Sequence, residues 1–274
     1  MQVDDSALAH WLRVREPADT AARSEELTQA IASRVPPAGP LRVLDLGTGT
    51  GSNIRYLAKR LRSPQQWLAV DRSAALLARA RGTDIDGEVE TRQADLGSLD
   101  DHRPFVGRDL VTASALLDLV SESWLRALAA HCRAENALAL FALTYDGRSS
   151  CTPVDPGDEE VRELMNQHQK RDKGLGGGAA GPDAAQVAEE CFLREGYSVR
   201  REPSDWVLGP SNTDIQRLLI DGWAVAATEM EPDRAPAIAR WHARRVGHLE
   251  AGRSRIVVGH HDLAAWPTHV EPGR

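Results

Sequence analysis

The sequence contains little cysteine, and what it has is not arranged to bind metal. Its 274 residues include three cysteines, Cys132, Cys151 and Cys191, which are far apart and odd in number. Without a CxxC pair or a Cys/His cluster, no zinc site is predicted, and we expect no other metal. Unpaired thiols are typical of a reducing compartment, so a cytoplasmic location is predicted.

Long apolar runs and excess positive charge are also missing. No stretch approaches the roughly 20 apolar residues of a membrane-spanning helix. The start, MQVDDSALAHWLRVRE, has no apolar core of a signal peptide. The net charge is −7, whereas binding to phosphate-rich partners needs a basic surface. Nucleic acids and membranes are therefore not expected partners.

Short apolar runs alternate with stretches of helical periodicity, which predicts a doubly wound, mostly parallel α/β sheet. The predicted strands are 41–46, 66–71, 87–95, 109–115, 137–145 and 255–263, and the segment 197–208 is predicted to contain strand. The predicted helices lie within 5–35, 52–61, 74–81, 123–133, 157–169, 183–195, 213–230 and 233–250.

A glycine-rich stretch, DLGTGTG, follows the first predicted strand. Its glycines allow a tight turn and a close approach of the backbone to a ligand. Ser52 stands where the dinucleotide-binding fingerprint has its third glycine. Asp45 precedes Gly47 by two residues, and a carboxylate there suits a ligand with an amine better than a pyrophosphate.

This stretch resembles motif I of the class I S-adenosylmethionine-dependent methyltransferases, [D/E]-x-G-x-G-x-G. Three later features also match in order: Asp71 at the end of the second strand, QADL at 93–96, and ASALLDL at 113–119. The resemblance covers about residues 40–145. It implies a seven-stranded sheet of the class I type with S-adenosylmethionine as cofactor.

The resemblance also implies roles for individual residues. Asp71 would accept from the ribose hydroxyls, Asp95 from the adenine amino group, and the Leu96 N–H would reach a ring nitrogen. Ser114 would lie beside the transferable methyl group. The full predicted cofactor set is Asp45, Gly47, Thr48, Gly49, Gly51, Asp71, Arg72, Asp95, Leu96, Ser114 and Arg23.

The residues at motif IV favour a small-molecule acceptor. Enzymes of this class that act on base amino groups carry [D/N/S]-P-P-[Y/F/W] there, which holds a flipped base. Here the sequence is SALLD, at 114–118, with no ring to stack on a base. An acidic acceptor is among the candidates, and the choice of O-, N-, C- or S-methylation stays open.

The resemblance and the inserted segments predict one methyltransferase domain over 1–274. Residues 1–38 would form an N-terminal helical lid, and 146–182 and 210–252 would be substrate-cap insertions. The sequence leaves open whether the protein is a monomer or a homodimer.

Two candidates for a general base are His168 and Asp118. His168 lies in NQHQKRDKGLGGGAAGPDA, at 166–184, whose basic residues and glycines suit either a closing lid over an acidic substrate or a loop without a role. A reaction without a base is a third possibility.

The sequence contains three further groups of charged or ionisable residues. Arg15, Asp19 and Arg23 share a helical face, which is either ion-paired and exposed or aimed at the cofactor's carboxylate or a substrate acid. The stripe from Arg240 to His248 (Arg240, Arg244, Arg245, His248) is predicted to be a solvated face. In His260-His261-Asp262, neighbouring side chains on a strand point to opposite faces, which disfavours a shared ion.

Two rival functions remain at the level of sequence. An NAD(P)-dependent oxidoreductase would also use a glycine loop and an acidic residue on the second strand. Ser52 and the position of Asp45 count against it. A methyltransferase-like module that binds without catalysis is the other rival, and the intact cofactor motifs count against it.

Overall fold

A mixed sheet runs through the computed structural model, which describes residues 5–62 and 64–268. Its strands are β1 (Leu41–Leu46), β2 (Gln65–Asp71), β3 (Gly87–Gln93), β4 (Leu110–Ser114), β5 (Leu138–Thr152), β6 (Tyr197–Pro203), β7 (Trp206–Leu208) and β8 (Arg255–Pro267). Seven of them follow the order β3-β2-β1-β4-β5-β8-β6, and the short β7 pairs with β8. β1 to β5 are parallel, while β8 is antiparallel to β5 and β6. The predicted doubly wound, mostly parallel sheet is confirmed.

Helices cover both faces of this sheet. They are α1 (Asp5–Ala22), α2 (Glu25–Ala32), α3 (Ser52–Ala58), α4 (Ala74–Arg81), α5 (Glu122–Ala134), α6 (Asp158–Gln169), α7 (Ala184–Arg194), α8 (Thr213–Met230) and α9 (Ala235–Glu250). Alternate residues of β1 enter opposite layers: Leu44 and Leu46 pack in one core and Leu41 and Val43 in the other. Central parallel strands are buried on both faces in this way.

Helix lengths also bear on membrane insertion. Within the described ranges, no helix is both long enough and apolar enough to cross a membrane.

Three predicted boundaries are wrong. The region 5–35 contains two helices, because Ser24 caps α2 by accepting from the Leu27 N–H at 3.1 Å. β5 runs seven residues past the predicted end at 145, because it keeps pairing with β8, as at Ser149 and Val258. The last strand, β8, runs four residues past the predicted end at 263, because it keeps pairing with β6 as far as Pro267. The segment 197–208 contains strand, as predicted, in the form of β6 and β7.

A third core lies over the extended end of β5. We call α6, α8 and α9 the helical cap; they pack with the ends of β5 and β8 around buried Trp223, Trp241 and Ile220. The predicted insertions 146–182 and 210–252 contain these helices.

The prediction of a solvated face at the α9 arginines is wrong for Arg245. Arg245 is fully buried; its guanidinium is paired with both carboxylate oxygens of Asp158 and donates to the Pro153 carbonyl at 2.6 Å. Arg244 donates to Asp155, which holds the pKa of that carboxyl at about 2. The helix predicted from the periodicity of this segment is present as α9. The burial of Arg245 on it depends on contact with α6, which is distant in sequence.

Removing the Asp158 carboxylate should destabilise the helical cap. Asp158→Ala leaves the Arg245 charge buried and unpaired, and we expect a loss of about 3 kcal/mol of unfolding free energy. Urea denaturation at pH 7.5 measures it. Glu159→Ala is the matched control, because Glu159 makes a more exposed pair with Arg162 and should cost under about 1 kcal/mol. Equal losses in both variants would contradict the buried pair.

Candidate cofactor and acceptor site

The glycine turn after β1 forms one wall of a cavity. Gly47, Gly49 and Gly51 have φ of 63°, 54° and 82°, the left-handed region that glycine adopts without strain. A Cβ on Gly49 would stand 2.9 Å from the Leu12 side chain, and one on Gly47 would stand 3.3 Å from Leu116. The backbone can therefore approach a ligand closely at this turn.

The end of β2 holds the turn in place. Asp71 accepts from the Gly49 N–H at 2.9 Å through one oxygen and from the Ser73 N–H at 2.9 Å through the other. Ser73 caps α4 and donates its hydroxyl hydrogen to Asp5, the first residue of α1, at 2.8 Å. The Asp71 carboxylate is thus fixed at the cavity, and each oxygen keeps a lone pair for a further donor.

Asp45 lies beneath the turn and not on the cavity wall. It is fully buried and accepts from the Thr48 hydroxyl at 2.5 Å and from Asn53 Nδ2 at 2.6 Å. Burial raises its pKa to about 6, against the lowering effect of these two bonds. The structure therefore places Asp45 in support of Thr48 and Asn53, which face the cavity; direct contact with a ligand amine stays a prediction.

The cavity has a volume of about 360 Å³. It lies over the C-terminal ends of the parallel strands, where sheets of this type bind ligands. Its lining residues are Leu8, Leu12, Arg15, Asp19, Gly47, Thr48, Gly49, Ser52, Asn53, Asp71, Arg72, Leu96, Ser114, Ala115, Leu116, Leu119, Lys173 and Leu175.

The region after β3 is divided between wall and surface. Leu96 is buried on the cavity wall, and its carbonyl accepts from Trp124 Nε1 at 2.8 Å. Asp95 is exposed, outside the lining, and accepts from the Gly97 N–H at 2.9 Å. Its predicted contact with an adenine amino group stays a prediction.

Helix α1 closes the cavity from above. Leu8, Leu12 and Arg15 line it at helical spacing. The helix is held to the sheet side by Glu16, which makes a two-pronged pair with Arg55 of α3 at 2.7 Å, and by Asp19, which accepts from Trp206 Nε1 at 3.1 Å. The predicted N-terminal lid segment thus supplies part of the wall.

The predicted Arg15, Asp19 and Arg23 group divides in the structure. Arg15 donates to Asp19 at 2.8 Å, and both side chains are largely buried. Arg23, just past α1, stacks on the Tyr56 ring at 4.2 Å, outside the cavity lining. Its Nε and Nη2 are buried without a hydrogen-bond partner among the described residues. Burial lowers its pKa, against the fields of Asp262, Asp19 and Asp45, so contact with the cofactor stays a prediction for Arg23.

The motif IV backbone is strained where it meets the cavity. Ala115 has φ of 52°, which costs a residue with a side chain about 1 kcal/mol or more. Its N–H bonds to the Ala142 carbonyl at 2.9 Å. The neighbouring strand has a second such residue, Leu143, with φ of 58° and an N–H donated to Asp262 at 2.8 Å. Hydrogen bonds to residues distant in sequence therefore stabilise the backbone at Ala115 and Leu143.

Asp118 lies just behind the cavity wall, in the short turn Leu117–Leu119. It is 6% exposed, and its Oδ1 has no hydrogen-bond partner among the described residues. Burial raises its pKa to about 6, while the positive charges of Arg15 and Lys173 lower it. It is therefore a carboxylate with one free oxygen and a pKa near neutrality.

His168 is placed less favourably for catalysis. Its Nε2 lies 3.1 Å from a Glu229 oxygen and its Nδ1 lies 3.4 Å from Lys173 Nζ, so both ring nitrogens have partners. Burial and the charge of Lys173 lower its pKa. His168 is outside the cavity lining, whereas Lys173 is part of it. A role for His168 as base stays a prediction.

The glycine-rich loop after α6 packs against the site. The Leu175 carbonyl accepts from the Ser121 N–H at 3.1 Å, and the Ala180 N–H donates to the Val120 carbonyl at 2.8 Å. These bonds place Lys173 and Leu175 on the cavity wall.

Asn53 is a buried polar residue of the cavity that the sequence analysis missed. Its Nδ2 donates to Asp45 and, at 3.1 Å, to Thr112, and its Oδ1 is buried without a partner among the described residues. It lines the cavity. Its place one residue inside α3, directly after the glycine turn, is the signal that could have found it.

The three side chains of the His260-His261-Asp262 segment have separate partners. His260 packs against Trp206 and Tyr145, His261 lies 3.3 Å from Asp146, and Asp262 accepts from Ser24 and Leu143. Over 5–62 and 64–268, no cluster of three metal-binding side chains is placed to hold an ion.

Comparisons with known proteins agree with these features. Residues 43–135 match a family model described as a methyltransferase domain. No curated protein matches the chain in sequence.

Solved structures align with most of the chain at low sequence identity. The cyclopropane synthase MmaA2 from Mycobacterium tuberculosis is 12% identical, with 96% of this chain and 94% of that chain covered and a TM-score of 0.48. A methyltransferase from Geobacter sulfurreducens in complex with S-adenosyl-L-homocysteine is 17% identical, with 93% and 98% covered and a TM-score of 0.45.

The family match confirms the prediction made from DLGTGTG and the features that follow it, and S-adenosylmethionine is the methyl donor of the enzymes which that motif resembles. Over residues 43–135, the chain is similar to the methyltransferase-domain family.

Proposed function

We propose that this protein transfers a methyl group from S-adenosylmethionine to a small-molecule acceptor in the cavity over β1, β2 and β4. The observation that carries the proposal is the glycine turn fixed against Asp71, with Asn53 and Ser114 on the same wall. The match of 43–135 to the methyltransferase domain supports it, and nothing observed favours the oxidoreductase.

The residues present fit such a donor. Gly47 and Gly49 leave room where a Cβ would crowd Leu116 or Leu12. The free lone pairs of Asp71 suit the ribose hydroxyls, and the unpartnered Asn53 Oδ1 suits an amine. When bound, S-adenosylmethionine supplies an electrophilic methyl group on sulfur, and its transfer leaves S-adenosylhomocysteine.

The protein's own residues would align the acceptor, exclude water and take up a proton. Arg15, Lys173 and Leu119 line the end of the cavity next to Asp118. Asp118, with a free Oδ1 and a pKa of about 6, is the proposed base. An in-line displacement would require the acceptor atom to approach the methyl group from the side opposite the sulfur.

Other predictions remain part of the proposal. The SALLD segment and the net charge of −7 support a small molecule over a nucleic acid. The three cysteines are unpaired and buried, which suits the proposed cytoplasmic location. We propose one domain with the cap over the acceptor, acting as a monomer or homodimer.

Asp71→Ala should weaken binding of S-adenosylhomocysteine by about 2 to 3 kcal/mol, the scale of charge-assisted hydrogen bonds. Isothermal titration measures the affinity, and circular dichroism checks that the variant is folded. Asp84→Ala, an exposed acid outside the cavity lining, is the control and should bind like the wild type. Unchanged affinity in a folded Asp71→Ala protein would show that the ribose site lies elsewhere.

Asp118→Asn should alter the dependence of stability on pH. The folded-state pKa is raised from 3.8 to about 6, so the stabilising effect of a protonated Asp118 is complete below about pH 3.8 and lost as pH rises through about 6. Asparagine does not ionise. The stability of the variant relative to the wild type should therefore rise by up to about 3 kcal/mol between pH 4 and pH 7.5.

Urea denaturation at both pH values measures this difference. Asp233→Asn, an exposed acid, is the control and should show no such trend. A relative stability of Asp118→Asn that is the same at both pH values would refute the raised pKa.

A further inference from the structure

One end of the cavity is lined by two cations that face a carboxylate. Arg15 comes from α1, Lys173 from the loop after α6, and Asp118 from the turn after β4. The charges of both cations act on Asp118, yet neither donates a hydrogen bond to it. The three charged groups therefore act on one another electrostatically without forming a hydrogen bond among themselves. Any assignment of an acceptor to this end rests on the proposed function of the cavity.

Arg15 is held so that its two terminal nitrogens are available. Its Nε donates to Asp19 at 2.8 Å, and its guanidinium lies 5.2 Å from the Trp206 ring centre and 5.8 Å from that of Trp11. Asp19 is itself held by Trp206 Nε1. The two terminal nitrogens make no hydrogen bond to any described residue. A guanidinium with two parallel free donors matches the two oxygens of a carboxylate.

Lys173 offers a second positive group at the same end. Its Nζ donates to the His168 carbonyl at 2.9 Å and approaches His168 Nδ1 at 3.4 Å, which leaves one of three donors over. Burial and the neighbouring Arg171 lower its pKa, so an anion nearby would stabilise its charged form.

Arg15 is remote from the ribose end. Asp5, at the start of α1, is tied to Ser73 beside Asp71. Arg15 follows ten residues later, which along a helix is about 15 Å. Arg15 therefore lies on the acceptor's side of the cavity, and the charge of Lys173 acts on the same Asp118.

We infer that the acceptor is a small carboxylic acid that also carries a hydroxyl or amino group. Its carboxylate binds the terminal nitrogens of Arg15 and the free donor of Lys173. Its O–H or N–H points to Oδ1 of Asp118, the free acceptor. As the new bond to the methyl carbon forms and the carbon–sulfur bond breaks, the proton of that group passes to Asp118.

Ligand binding tests this inference without knowledge of the natural acceptor. The wild-type protein, saturated with S-adenosylhomocysteine, is titrated with glycolate, glycine and benzoate, and with the amide of each. Fluorescence reports binding, because Trp11 and Trp206 lie against Arg15. We expect each acid to bind at least about tenfold more tightly than its amide, from charge-assisted bonds.

Substitutions test which residues produce the preference for acids over amides. Arg15→Met and Lys173→Met should each lose it, while S-adenosylhomocysteine binds as before. Arg13→Met and Lys170→Met are the matched controls, because both are exposed cations near the same elements, and they should keep it. Asp118→Asn should leave benzoate binding unchanged and weaken glycolate and glycine, which carry the additional hydrogen-bond donor.

The possible results distinguish failure of this inference from failure of the proposed function. Equal binding of acids and amides by the wild-type complex would overturn the acidic acceptor and leave the proposed function standing. Weaker S-adenosylhomocysteine binding by Arg15→Met would assign Arg15 to the donor's own carboxylate and overturn the acceptor assignment. If the wild type does not bind S-adenosylhomocysteine at all, the proposed function fails, and this inference fails with it.

Discussion

The site depends on the turn between β1 and α3, where the backbone must bend with positive φ while a carboxylate is buried beneath it. Asp45 satisfies this constraint by bonding Thr48 and Asn53, and Asp71 anchors Gly49 from the adjacent strand. A buried carboxylate costs free energy unless it has such donors. Because these donors also line the cavity, the same bonds that stabilise the turn orient the groups that would meet a cofactor.

The opposite wall is built from parts of the chain that are far apart in sequence. α1 is fastened at Asp5, Glu16 and Asp19 to α4, α3 and β7 in turn, and each bond pairs a carboxylate with a donor on another element. Asp262 of β8 likewise joins Ser24, before α2, to Leu143 of β5. These polar bonds set the distance between helix and sheet more narrowly than apolar packing alone, because hydrogen bonds require directed geometry.

Much of the fold could be predicted because its signals are local. Apolar runs indicated the strands, and DLGTGTG together with Asp71 placed the cofactor side at the end of β1 and β2. The boundaries at Ser24, Thr152 and Pro267 were wrong, because a cap or a distant strand decides them. Arg245 was misjudged for the same reason: its burial depends on Asp158, 87 residues away in sequence.

The sequence by itself determined the glycine turn, the alternation of strands and helices, and the similarity to the methyltransferase domain, since each follows from residues within a limited segment. Tertiary structure alone decided which charged groups meet. In the structure, Asp45 lies beneath the cavity wall, and Lys173 lines the cavity whereas His168 does not. Arg15 lies close enough to Asp118 for its charge to lower the pKa of that carboxyl. The physical reason is that burial and electrostatic interaction depend on distances between elements, which a periodic pattern within one element does not contain.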